Sequence, residues 1–189
     1  MDKKQITKLL KLLIRVNSLK DVDRTGWVIK GVKNAESVAD HTWGVAFLTL
    51  ILADPKKLNK EKLLKMTIVH DLGEIIPGDV RWEAGKKVIG SQRKKRKKEL
   101  DVMKDLFGDY PNGKEYISLL KEFNEQKTPE AKFLKQVEKL EMVLQAYIYE
   151  ETGRNKKSLI EFWENVEKYL EGTELESIFR ELQKMRKNK

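Results

Sequence analysis

Ile6, Leu9, Leu10, Leu13 and Val16 recur at three- and four-residue intervals, which places them on one face of an N-terminal helix. The stretch "DVDRTGWVIKGVKNAE", residues 21 to 36, carries glycines and no sustained period, and reads as a loop. Ser37 then opens "SVAD", a capping box completed by Asp40, and a strongly apolar helix is expected from there to about Ala53. Asn59 suits the cap of a further helix, to about Leu72. "GEIIPGDVRWEAGKK" is loop-like, and "SQRKKRKKELDVMKDLF" is helical with a basic first half. Asn112 begins another helix, and Thr128 with Pro129 opens a long one, the proline standing at the first helical position. "SLIE" at 158 and "TELE" at 173 read as capping boxes for two more. No alternating strand pattern, internal repeat or domain linker interrupts this series. The pattern predicts one all-α domain of six to nine helices; the motif-bearing stretch is about 24–150, and C-terminal helices over 158–187 pack on it.

Composition adds a few constraints. With 37% charged residues and a net charge of +9, the chain invites anionic partners, although most of these charges read as a solvated, ion-paired surface. The Lys/Glu abundance and the absence of cysteine resemble a heat-adapted, cytoplasmic protein. The N-terminal helix is broken throughout by lysine, unlike a signal peptide, and no stretch approaches the ~18 apolar residues that a membrane span needs.

The chemistry centres on "TIVHDLGEII". His70 and Asp71 stand side by side at the end of an apolar helix, and the only other histidine, His41, lies early in the "SVADHTWGVAF" helix. Two imidazoles and a carboxylate suit a divalent transition metal, or Mg or Mn where oxygen ligands dominate. The plain alternative for each histidine is an ordinary hydrogen-bonded side chain, and spacing alone does not decide between the two.

"RTGW", "SVADHTWGVAFL", "IVHDLGEIIPGD" and "EAKFLKQVEKLEMVLQAYIYE", in this order, resemble the HD-domain phosphohydrolases, and most closely their small 5′-deoxynucleotidase subgroup. The resemblance implies a metal set of His41, His70, Asp71 and a distant acid. That acid is Glu138 here, where the family has aspartate, and Glu141 is a second candidate. It also implies that Glu74 and Asp79 assist an attacking water, and that Arg24 clamps phosphate while Trp27 meets sugar or base. Arg24 offers phosphate oxygens a planar fork of donors. The plain alternative for Trp27 is packing that anchors its loop.

The resemblance therefore implies a metal-dependent enzyme that removes the 5′-phosphate from (deoxy)nucleoside monophosphates. Mn, Co, Mg, Ni and Zn are all candidate ions. Another HD-type nucleotide hydrolase, or a catalytically decayed nucleotide- or nucleic-acid-binding protein, are the alternatives. Nucleic acid is the weaker partner: the basic run at 93–98 has no aromatic residues interleaved and no accompanying motif, so it reads as a solvated face. Relatives in this family are often dimers, and Phe162, Trp163, Val166 and Leu170 are expected either to close the core or to form a homodimer face.

Overall fold

A computed structural model describes residues 1–53, 57–76 and 92–188. Among them are nine α-helices and no strand: α1 (Lys3–Asn17), α2 (Thr25–Ile29), α3 (Val38–Ala53), α4 (Lys60–Val69), α5 (Gln92–Phe107), α6 (Gly113–Glu125), α7 (Pro129–Glu151), α8 (Ile160–Leu170) and α9 (Glu176–Lys187). Short 3-10 turns cover Ser18–Asp21 and Leu72–Ile75. The all-α expectation holds.

Several caps are those that the residue types dictate. Ser37 and Asp40 exchange hydrogen bonds as a capping box: the Asp40 amide donates to Ser37 Oγ at 3.1 Å and the Ser37 amide to Asp40 Oδ2 at 2.9 Å. Asn59 accepts from the Lys62 amide, and Thr128 from the Ala131 amide ahead of Pro129. The two C-terminal boxes do not form as predicted. Leu159 and Leu175 are buried and occupy the cap positions of α8 and α9, so burial sets where each helix starts. Ser158 and Thr173 each accept from an amide two residues on, and Glu176 accepts from the Gly172 amide.

Helix α7 is the spine. Its buried stripe (Phe133, Leu134, Val137, Leu140, Val143, Ala146) meets α3, α4 and α6, while α8 and α9 close its other side. Phe162, Trp163, Val166 and Leu170 are buried in that closure, so these four side chains finish the core and are not themselves exposed to a second chain. Apolar surface stays uncovered on α1, at Ile6, Leu10, Leu13 and Ile14, and on α3. Helix α3 is apolar all round, without a charged residue after Asp40, and such a helix is normally buried on every side. Here Trp43 is 71% exposed, and Phe47, Leu50 and Ile51 are exposed beside it.

Two sequence expectations are corrected. The stretch read as a loop contains α2, which is too short to show a period. The fourth helix stops at Val69 and not near Leu72, and the chain tightens into the 3-10 turn immediately after Asp71. Gly73 in that turn packs on α5: a Cβ there would lie 2.8 Å from the Glu99 Cα.

Candidate metal centre and active site

His41 reaches the centre from the first turn of α3, and His70 from the end of α4. Asp71 joins them because its backbone leaves the helical path (φ −112°, ψ 3°) as the chain changes pitch. Asp71 Oδ2 lies 3.3 Å from His70 Nε2 and 3.9 Å from His41 Nε2. The three side chains each offer one ligand atom, all within 4.8 Å of one another.

The other nitrogen of each ring is already engaged. His70 Nδ1 lies 2.6 Å from the Thr67 carbonyl oxygen, an acceptor, so Nδ1 carries the proton. His41 Nδ1 lies 2.5 Å from Glu141 Oε2. Among the described residues, neither Nε2 atom, both of them buried, has a hydrogen-bond partner. Buried polar atoms are rarely left so, and two imidazole lone pairs converging on a carboxylate are the donor set of a divalent transition-metal site. The residues fit the implied ion.

The electrostatics agree with that arrangement. Burial depresses the His70 pKa and keeps the ring neutral, as a ligand must be. Burial opposes charge on Asp71, yet His70, His41 and Arg24 together hold its pKa below the ordinary carboxylate value. For His41, burial and then Arg24 disfavour the charged ring, but Glu141 and Asp71 outweigh them and the pKa is raised. Glu141 thus orients the His41 ring from behind. Gly44 on α3 makes this possible, since a Cβ there would lie 2.7 Å from Glu141 Oε1.

The remaining expected residues are distributed as follows. Arg24 stands at the rim, with Nη1 3.6 Å from Asp71 Oδ2. Glu74 is buried at 3% exposure one turn past His70, with Lys95 Nζ 2.6 Å from its Oε1. Lys95 also reaches Glu99 at 3.3 Å. Lys95 was not singled out from the sequence. It is the one member of the basic run that turns inward, while Arg93, Lys94, Arg96, Lys97 and Lys98 are exposed as that run predicts. Glu138 lies near enough to act on both His70 and Asp71, but its oxygens rest on Lys135 at 2.7 Å and Lys139 at 3.4 Å. Asp79 lies outside the described residues.

Trp27 is placed differently from a sugar- or base-binding ring. It is 1% exposed, stacked on Phe162 at 4.3 Å and edge-on to Tyr149, and its Nε1 donates to Glu36. In this structure it anchors the α2 segment to the core, which was the plainer of its two sequence readings.

The profile of the HD domain family matches residues 16–179. This chain is an HD-domain protein. It is 37% identical over 161 residues to a 5′-deoxynucleotidase of Danio rerio, covering 84% of this chain and 78% of the relative. It is 34% identical over 177 residues to a 5′-deoxynucleotidase of Homo sapiens, covering 93% of this chain and 84% of the relative. A crystal structure of a Pyrococcus horikoshii protein superposes with a TM-score of 0.76 at 41% identity, covering 92% of this chain and 97% of that one.

Proposed function

We propose that this HD-domain protein is a metal-dependent phosphohydrolase that removes the 5′-phosphate from deoxynucleoside monophosphates. The observation that carries the reading is the pair of orphaned, buried Nε2 atoms converging on Asp71 beneath Arg24. The 5′-deoxynucleotidase relatives, matched over most of their length, support the substrate class.

His41, His70 and Asp71 would hold the ion, and Glu138, close enough to act electrostatically on His70 and Asp71, is the acid assigned to complete the set. Such an ion, when bound, supplies Lewis acidity toward water and toward a phosphoryl oxygen. The chain's own residues do the rest. Glu141 and the Thr67 carbonyl keep both Nε2 atoms aimed inward. Arg24 presents its guanidinium fork to phosphate oxygens at the rim. Glu74 is a carboxylate one turn from the doublet, placed to take a proton from the attacking water, and Lys95 fixes it in position. Asp79 is assigned to the same assistance on the family motif alone.

The test is phosphate release from deoxy- and ribonucleoside monophosphates by metal-stripped protein given Mn, Co, Mg, Ni or Zn in turn. Metal-dependent release that favours the deoxy sugar is expected. His70→Ala should abolish both metal binding and turnover with the helical spectrum intact. Metal-stimulated turnover in that variant would refute the assignment.

The uncovered face of α3 is assigned to a second copy of this chain. Trp43, Phe47, Leu50 and Ile51, with Leu144 and Ile148 exposed on the neighbouring α7, present a largely apolar surface. In a chain of net charge +9, this uncharged helix face is where two copies meet with least repulsion.

A further inference from the structure

The acid at 138 is where this chain departs from the family pattern, and its surroundings are unusual. Two lysines of its own helix grip it, from positions i−3 and i+1. Glutamate has the reach to sit between both ammonium groups, and its side chain is only 12% exposed. Burial opposes its charge, yet Lys135, Lys139 and His70 hold its pKa well below the usual carboxylate range.

These lysines border the metal centre. Lys135 Nζ lies 5.2 Å from the centre of the Phe123 ring, which meets His70 edge-on at 5.3 Å. Lys139 is 13% exposed, packs over Tyr169 at 5.2 Å, and feels the charge of Arg24. Arg24, Lys135 and Lys139 therefore bring three cations within electrostatic reach of Asp71 or Glu138. A divalent ion held by those acids would add to that positive field, which suits a dianionic phosphate monoester.

We propose that Lys135 and Lys139 form a phosphate subsite beside the metal centre, and that Glu138 is the anion that fills it while phosphate and metal are absent. The inference rests on the phosphohydrolase reading above for the identity of the ligand. When Glu138 turns toward the ion, the two ammonium groups are left facing the position that phosphate oxygens take. Glu138 thus couples two events: the same carboxylate serves the lysines in one state and the ion in the other.

The coupling predicts effects of opposite sign. Lys135→Met and Lys139→Met are compared with wild type by calorimetric titration, using Mn alone on stripped protein and inorganic phosphate on Mn-loaded protein. Each variant is expected to weaken phosphate binding about tenfold, since a charge-assisted contact is lost, and to hold or tighten Mn binding, since Glu138 loses a competitor. Lys139→Arg should restore phosphate affinity. If a Met variant fails to fold, Lys→Gln, which keeps a polar end beside Glu138, carries the same comparison.

Phosphate binding within twofold of wild type in both variants overturns the subsite. So does a joint loss of Mn and phosphate affinity, which is the mark of lysines that merely support the helix. The outcome is separable from the function. Lysine-dependent phosphate binding without turnover of any monophosphate would sink the enzyme reading and leave the subsite standing. Normal turnover with lysine-independent phosphate binding would do the reverse.

Discussion

Glu141 Oε2 sits 2.5 Å from His41 Nδ1, joining α7 to α3 directly behind the candidate metal centre. A carboxylate on the far nitrogen fixes the tautomer and strengthens the ring as a ligand. Glu141→Gln keeps an oxygen in place and removes the charge. Metal affinity should fall by ~10-fold, and by up to ~100-fold for Glu141→Ala. Titration of Mn into stripped protein checks this, and an unchanged affinity would mean that the contact is ornamental.

Lys95 stands between two buried acids, Glu74 and Glu99. Burial raises the pKa of Glu99, so this acid already resists being charged. Lys95→Met leaves both carboxylates without that ammonium, and stability at neutral pH should drop by ~3 kcal/mol. Adding Glu99→Gln removes one of the two stranded charges and should return part of the loss. Denaturant melts of the single and double variants decide it; equal stability of the two would show that Glu99 does not share the load.

Glu36 is held up to about 7 by burial and then by Glu141, with His41, Arg24 and Trp27 pulling the other way. A carboxyl whose pKa is raised by folding binds more protons in the native state than in the unfolded one between about 4.5 and 7. Stability from this group is present below that window and is lost as pH rises through it. Glu36→Gln keeps an acceptor for the Trp27 indole. It should flatten the decline and stabilise metal-free protein at pH 8 by ~2 kcal/mol relative to wild type. Melts at pH 5 and pH 8 should show a gain at the higher pH only; a gain of the same size at both would point to packing.

Gly73 lets the turn after the doublet rest directly on the backbone of α5. A methyl group there must move main chain and not a flexible side-chain end, so Gly73→Ala should cost ~2 kcal/mol or more. The same displacement should separate Lys95 from Glu74 and lower kcat. A variant with native stability and rate would place the contact outside the working structure.

Trp43→Glu puts a charge in the middle of the bare α3 face, where Trp43 stacks on Phe47 at 5.8 Å. Light scattering should find wild type as a dimer and the variant as a monomer. A wild-type monomer at micromolar concentration would remove the assignment of that face to a second copy.

Much of this arrangement was legible in the sequence, for reasons that differ by residue. His41 stands in the first turn of α3 and His70 at the end of α4, helices whose caps at Ser37 and Asn59 are plain in the sequence, so the approach of the two rings is a matter of helix packing, while Asp71 joins them only through the turn that follows α4. Trp27 was harder, because α2 has only five residues and no period can show in so short a helix. Lys95 was hidden by its neighbours in a run of basic residues. Its signal was present all the same: Lys95, Glu99, Val102 and Leu106 follow one another at helical spacing, so the buried stripe of α5 extends back to it. The capping boxes at 158 and 173 misled because a local hydrogen bond is worth less than burying Leu159 or Leu175.

The change of pitch at Asp71 also bears on protein design. In a continuous α-helix, neighbouring side chains diverge by ~100° around the axis, too far to share one small ion. Here α4 ends at Val69, and the turn that follows brings residue 71 round beside residue 70. The doublet is therefore not a portable two-letter motif. Transplanted into the middle of a host helix, the same two residues would face different neighbours, and a graft would need the helix end, the tight turn and its glycine to travel with them.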